Sequence, residues 1–283
     1  MLIDLHMHST VSDGSDTPEK LAENCRAAGL GYCALTDHDT IDGVSRFLAS
    51  AKKEGLYAMT GVEFTVAYDG ELHILGLGFD HKDAALNRRL RELAKEREAR
   101  AERITDRLRK NGYDIAFSSV TDYAGKGVVG RPHIARALVE AGYAASVADA
   151  FRDFLSKGKP GWVERHKIDS DEAIALIKGA GGVTVWAHPA QAHCADPEAM
   201  LLRLKSEGLF GIEAFYPTHT DGDVSFYTAL AEKHGLLMTQ GSDYHGEMRH
   251  NTAICREQRG KGIVDTGIIR LFENHIKNTT LSY

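Results

Sequence analysis

What most limits the folds open to this chain is a series of apolar runs that end on metal-ligating side chains, beginning with Asp4-Leu5-His6-Met7-His8-Ser9. Residues two apart on a β-strand point to one face, so His6 and His8 set two imidazoles side by side, while Ile3, Leu5 and Met7 turn towards packed neighbours. Neutral imidazole is the commonest metal ligand, and a strand holds two of them more firmly than a loop does. The apolar runs predict strands at Leu2–His8, Tyr32–Thr36, Tyr57–Val62, Glu71–Phe79, Gly182–Ala187, Gly211–Phe215 and Leu236–Gln240. Helical patterns alternate with them. Thr17-Pro18-Glu19 starts one with a capping threonine, a first-turn proline and an acidic residue, and Gly29 stops it. Thr40 to Ala51 and Asp171 to Lys178 read as further helices. The alternation predicts a parallel α/β fold with helices packed outside, a barrel one unit short of the eight-stranded type.

One stretch breaks the alternation. Asp83 to Lys110 is a long helical pattern with Leu86, Leu90, Leu93, Ala101, Ile104 and Leu108 near one face. Its interleaved Arg and Glu residues read as a solvated face rather than an RNA-binding one. Helical segments at Arg131–Ala141 and Val147–Leu155 follow before strands resume near Gly182. We read residues 99–166 as an inserted helical subdomain capping the rim of a barrel formed by residues 1–98 and 167–283.

Composition narrows the class. With 283 residues, 43% hydrophobic and 26% charged, the chain is an ordinary soluble globular protein of enzyme size. A net charge of −6 argues against wrapping a DNA duplex. Cys25, Cys33, Cys194 and Cys255 lie far apart, which suits reduced thiols in a cytoplasm better than a disulfide framework or a cysteine zinc site. No apolar run approaches the roughly 20 residues of a membrane span, and Asp4 and His6 argue against a signal peptide. The oligomeric state has no signature in the sequence.

In a parallel barrel the carboxyl ends of the strands share one rim, where active sites lie. That rim would gather His6 and His8, Asp13 from the next loop, Asp37-His38-Asp39, Glu63, His73, His188, and Asp243 with His245. These exceed the needs of one metal ion, and Glu63 is the carboxylate placed to bridge two. Asp37 reads as a partner that orients a ligand histidine, Asp39 as a cap for a helix starting at Thr40, and Glu213 as structural. Cys194 beside His193 lacks the third group that a nucleophile needs.

The motifs Asp4-Leu5-His6-Met7-His8-Ser9, Thr36-Asp37-His38-Asp39, Gly61-Val62-Glu63, Ala187-His188-Pro189 and Gly241-Ser242-Asp243-Tyr244-His245 resemble those of the polymerase and histidinol phosphatase (PHP) superfamily of metal-dependent phosphoesterases. The resemblance implies a distorted (β/α)7 barrel holding up to three divalent ions, with Mn²⁺ favoured and Zn²⁺ or Fe²⁺ as alternatives. By position, His6, His8, Glu63 and Asp243 would hold the first ion. Glu63 would bridge to a second held by His73 and His188, while Asp13, His38 and His245 would hold a third. Many relatives carry histidine where this chain has Asp13, a harder ligand that suits Mn²⁺.

The segment Val129-Gly130-Arg131-Pro132-His133-Ile134-Ala135-Arg136-Ala137-Leu138 is similar to the insertion of the TrpH-like subgroup, which includes nucleotide phosphatases and 5′→3′ exoribonucleases. That resemblance implies a phosphomonoesterase acting on 3′,5′-nucleoside bisphosphates, or on 5′-nucleotides and short 5′-phosphorylated RNA. Arg131, at a helix start, would receive a phosphate, and His133 would bind substrate or assist the leaving group. Lys159 and Trp162, with Lys126 and Arg165, are further candidates for a phosphate or a stacked base. Water would attack phosphorus in line with the leaving oxygen; Asp13, His38 and His245 would help the alcohol depart. The alternatives are histidinol-phosphate phosphatase, an amidohydrolase-type carbon–nitrogen hydrolase, whose customary strand-end lysine is missing here, and a metal-binding scaffold without activity.

Overall fold

Seven strands pair in sequence order: β1 (Leu2–Asp4), β2 (Leu30–Leu35), β3 (Tyr57–Val66), β4 (Leu72–Leu77), β5 (Val183–Trp186), β6 (Gly211–Phe215) and β7 (Leu237–Gln240). The computed structural model describes residues 2–125, 127–164, 167–248, 252–255, 267–271 and 273. The sheet is not parallel throughout, contrary to the expectation: β4 runs against both β3 and β5, and the remaining pairs are parallel. The connection 67–71 is too short for a crossover, so the chain folds straight back as a hairpin. Lys167 holds that turn, its Nζ donating to the carbonyls of Tyr68 at 3.3 Å and Gly70 at 3.0 Å.

The two edges of the sheet meet. Beyond Asp4 the regular ladder of β1 stops, short of the predicted His8, but the chain continues against the segment after β7. Leu5 N donates to Gln240 O at 3.2 Å, Asp243 N to His6 O at 2.8 Å and His8 N to Tyr244 O at 2.8 Å. Met7 also makes a parallel bridge with Tyr244 and accepts from Thr36 N at 2.9 Å. These bonds close the sheet on itself and fix His6 and His8 between β2 and β7.

Helices α1 (Pro18–Ala27), α2 (Val44–Lys53), α7 (Ser170–Gly179), α8 (Pro197–Glu207) and α9 (Asp221–His234) cover the outside of the sheet. Thr17 caps α1 by accepting from Lys20 N, and Gly29, at φ +78°, turns the chain into β2. Helix α2 starts at Val44 rather than Thr40, and Asp39 does not cap it. The Asp39 carboxylate is taken instead by Thr65 N at 3.1 Å and by the Arg97 guanidinium.

Between β4 and β5 lie α3 (Ala84–Lys110), α4 (Phe117–Ala124), α5 (Arg131–Glu140) and α6 (Val147–Ala150), followed by a π-helical turn at Phe151–Leu155. The predicted single helix at Val147–Leu155 is thus split. Helix α3 passes through two cores: Leu86, Leu90 and Leu93 pack on the sheet, while Ala101, Ile104 and Leu108 pack with Ile134, Leu138 and Leu155 in a separate helical cluster. Among the described residues no helix is long and apolar enough to cross a membrane.

The core predicts its own sensitivity. Leu77, buried at the β4–β5 seam at 0% exposure, should cost about 2–5 kcal/mol when cut to alanine, from lost transfer energy and the cavity left behind. Leu202→Ala on α8, 47% exposed, should stay within about 0.5 kcal/mol. Urea unfolding checks both, and equal effects would contradict this packing.

Candidate metal centre

The expected ligands converge at one end of the sheet. His6 and His8 follow β1, His38 follows β2, His188 follows β5, and Asp243 and His245 follow β7. Glu63 comes from within β3, and His73 from the amino end of β4, which reaches this rim because that strand is reversed. Glu63 is the hub. Its Oε1 lies 2.7 Å from His73 Nδ1, 3.1 Å from His188 Nε2 and 3.3 Å from His6 Nε2; its Oε2 lies 3.0 Å from His38 Nδ1 and 3.2 Å from His8 Nε2. Asp243 Oδ1 stands 3.2 Å from His8 Nε2 and 3.6 Å from His6 Nε2. Asp13 completes the cluster, 3.3 Å from His245 Nε2 and 3.9 Å from His38 Nε2.

Among the described residues, three groups place ligand atoms within 4.8 Å of one another: His6, His8, Glu63 and Asp243; His8, Asp13, His38 and His245; and His38, Glu63 and His73. They overlap more than the expected assignment, since His8 also reaches the Asp13 group and His38 reaches Glu63.

A test of whether metal fits comes from the atoms themselves. His6 Nδ1 lies 3.1 Å from Glu213 Oε1, and an ionised carboxylate only accepts, so this nitrogen carries the proton. Burial opposes charge on His6, but Glu213, Glu63 and Asp243 outweigh it and raise its pKa well above the usual value, so Nε2 holds a proton against Glu63 and Asp243 until a metal ion takes its place and meets the lone pair. His6 Nε2, His8 Nε2, His38 Nδ1, His245 Nε2 and Glu63 Oε2 are all buried and make no hydrogen bond. Acceptors that face acceptors in a buried site need a cation between them, either a proton or a metal ion. Burial opposes charge on His8, but Asp243 and Glu63 outweigh it and raise its pKa to about 9. Burial pushes His38 down to about 4, which leaves a neutral imidazole, the form that ligates metal. Burial works against ionising Asp13 and Glu63, yet the surrounding histidines hold both well below the usual carboxylate range. The donor set of imidazole and carboxylate, without thiolate, fits Mn²⁺, Fe²⁺ or Zn²⁺.

Surrounding groups aim these ligands. Tyr216 Oη donates to Asp243 Oδ2 at 2.7 Å, which turns Oδ1 towards the histidines. Asp37 acts on His8 only indirectly: it accepts from Ser12 Oγ at 2.6 Å, and Ser12 Oγ stands 3.5 Å from His8 Nδ1. Glu213, expected to be structural, contacts His6 and accepts from His188 N at 2.9 Å. His188 and Asp243 hold left-handed φ values of +28° and +51°, strain that only a surrounding network sustains.

A cleft of about 960 Å³ opens from Asp13, His38 and His73 towards the helical segment, where Arg97, Arg131 and Trp162 line it. Arg131 stands at the start of α5 with its guanidinium 5.4 Å from the Phe151 ring centre. Arg97, which sequence reasoning missed, is its neighbour and is anchored to Asp39. Two expected substrate contacts are not in the cleft. His133 is largely buried, its Nδ1 accepts from Gly130 N at 3.0 Å, and Asp13 of the ligand cluster is among the charges that act on it. Lys159 is exposed and does not line the cleft, whereas Lys157 does. Lys126 and Arg165 lie outside the described residues.

Known proteins are similar to this chain over most of its length. A 3′,5′-nucleoside bisphosphate phosphatase from Chromobacterium violaceum is 33% identical over 247 residues, covering 86% of this chain and 87% of that protein. A 5′-3′ exoribonuclease from Haemophilus influenzae is 34% identical over 245 residues, covering 86% and 89%. A solved structure of a Chromobacterium violaceum protein, described as an amidohydrolase with bound sulfate and no metal, superposes with a TM-score of 0.88 at 31% identity and covers 97% of both chains. The PHP domain profile matches residues 4–178, a span that holds His6, His8, Asp13, His38, Glu63 and His73. The chain belongs to the PHP domain family.

Proposed function

We propose that this protein is a metal-dependent phosphoesterase that removes phosphate from nucleotides, with 3′,5′-nucleoside bisphosphates as first substrate and 5′-nucleotides or short 5′-phosphorylated RNA as further ones. The observation that carries this reading is the cluster of buried lone pairs around Glu63, set at the floor of a cleft lined by arginines. The names of the bisphosphate phosphatase and exoribonuclease relatives support the substrate class.

In this reading His6, His8, Glu63 and Asp243 would hold one divalent ion, Glu63 with His73 and the adjacent His188 would hold a second, and Asp13, His38 and His245 would hold a third. Such ions, Mn²⁺ being favoured by the hard Asp13 oxygen, supply Lewis-acid polarisation of phosphoryl oxygens and a nucleophile at neutral pH. The protein's side chains do the rest. Arg131 and Arg97, the latter held by Asp39, neutralise charge on the phosphate oxygens from the α5 side. Trp162, with Arg100 5.9 Å from its ring centre, offers a face for a base. His245 Nδ1 donates to Asp243 O at 2.8 Å, which leaves Nε2 as its ligand atom; His133, whose Nδ1 accepts from Gly130 N, carries its proton on Nε2 and is the group that would pass it to the departing alcohol. Residues 99–166 act as the cap that selects the leaving group. The four cysteines are free, which suits a reducing cytoplasm.

Phosphate release with Mn²⁺ and then with EDTA tests the reading on adenosine 3′,5′-bisphosphate, AMP, a 5′-phosphorylated trinucleotide and histidinol phosphate. The expected result is turnover of the nucleotides over histidinol phosphate, lost on chelation and restored by Mn²⁺. Preference for histidinol phosphate would overturn the substrate, and chelator-insensitive turnover would overturn the chemistry.

Two substitutions separate metal from substrate contacts. His8→Ala, which takes a ligand from two of the groups, should abolish turnover and reduce bound metal. Arg131→Ala should retain metal but lower kcat/KM for the bisphosphate by about 10- to 100-fold, the worth of a charged hydrogen bond. Unchanged kcat and KM in Arg131→Ala would remove this residue from the phosphate site.

A further inference from the structure

Behind the ligand cluster, on β6, Glu213 does two jobs at once. Its carboxylate accepts from His6 Nδ1, with the two oxygens at 3.1 and 3.2 Å, and Oε2 also accepts the backbone N–H of His188 at 2.9 Å. Both hydrogen bonds are buried, and Glu213 has no exposed surface. The two residues it grips both face Glu63 Oε1, but with different further neighbours: His6 also faces Asp243, whereas His188 lies 3.2 Å from His73, and in the reading proposed above they serve different ions. Their rings stack with centroids 5.5 Å apart and an interplanar angle of 23°.

Each grip corrects something that local structure alone leaves undetermined. A neutral imidazole can carry its proton on either nitrogen, and only the Nδ1–H form of His6 presents Nε2 to Glu63 and Asp243. His188 sits at φ +28°, outside the ordinary range for a residue with a Cβ, and the bond from its N–H to Glu213 opposes relaxation of that backbone. Space for the carboxylate is built in as well. A Cβ on Gly241 would collide with both His6 Cβ and Glu213 Oε1, so the residue at this crossing must be glycine.

We infer that Glu213 is a positioning residue that couples two metal sites: through one carboxylate it sets the His6 tautomer for the first ion and the His188 backbone for the second. This rests on the metal reading proposed above. It touches neither substrate nor reacting atoms. Its buried negative charge lies directly behind the two sites, where it raises the basicity of His6 and adds attraction for a divalent ion. The Asp13–His38–His245 group has no contact with it.

The test is metal retention by folded protein, not activity. Wild type, Glu213→Gln and Glu213→Asp are dialysed against a fixed low concentration of free Mn²⁺, and bound metal is counted by elemental analysis. Thermal melts of the metal-free proteins control for folding. Loss of a carboxylate behind a ligand histidine weakens metal binding by about 10- to 100-fold. In Glu213→Gln this should affect two ions together, so the retained count falls by two while the third remains. Glu213→Asp keeps the charge and should recover part of the loss. A count that is unchanged or lower by one overturns the coupling; loss of every ion together with a lowered melt makes Glu213 merely structural. If wild type itself retains no Mn²⁺, the metal reading fails first and takes the coupling with it.

If Glu213→Gln does not fold, the wild type loaded with Zn²⁺ and labelled with ¹⁵N-histidine carries the same test. The His6 ring should show a slowly exchanging proton on Nδ1, and a proton on Nε2 would overturn the inference.

Discussion

The structure turns on one electrostatic fact: Glu63 is buried among five imidazoles that come from four separate segments of the chain. A buried carboxylate without compensation costs several kcal/mol, and lone-pair nitrogens aimed at it worsen the balance. Positive charge must enter the cluster, either as protons on histidines or as metal ions. The rest of the molecule is arranged to hold those lone pairs in place until it does. Tyr216, Glu213 and the Ser12–Asp37 pair each fix a ligand from behind.

The fold serves this cluster through its closure and through one reversed strand. The bonds from residues 5–8 to residues 240–244 bring the first and last ligand pairs side by side. The hairpin between β3 and β4 brings His73 back to the rim next to Glu63, at the cost of a uniformly parallel sheet. Strained backbone collects here too: His188, Asp243 and Asp39 all hold left-handed φ values at this end. Helix α3 then carries Arg97 from the sheet's core towards the second helical cluster, and the Asp39 carboxylate ties that arginine to the rim. The cleft, which presents Arg97 and Arg131 among both basic and acidic side chains, and the ligand cluster are therefore parts of one framework.

Much of this was legible in the sequence. The strand-end ligands stood out because apolar runs ending on His, Asp or Glu recur along the chain, and the start of β6 at Gly211 and the capping of α1 by Thr17 follow from local chemistry. What failed depended on contacts distant in sequence. Asp39 looks like a helix cap until Arg97 is known to reach it, and the hold of His133 Nδ1 on Gly130 N is equally invisible before the fold is known. The antiparallel β4 could have been anticipated from the short connection at 67–71. Arg97 also left a signal: it occupies the position between Leu93 and Ala101 on the apolar face of α3, where a charge needs a buried partner. Glu213 left a weaker one, a lone acid in an otherwise apolar strand.

The central claim is that several divalent ions share Glu63. Anomalous diffraction from a crystal grown with Mn²⁺ tests it most directly. The account predicts separate peaks on the two sides of the Glu63 carboxylate, one towards His6, His8 and Asp243 and one towards His73 and His188, with a third near Asp13 and His245. A single peak, or peaks outside this cluster, would contradict it.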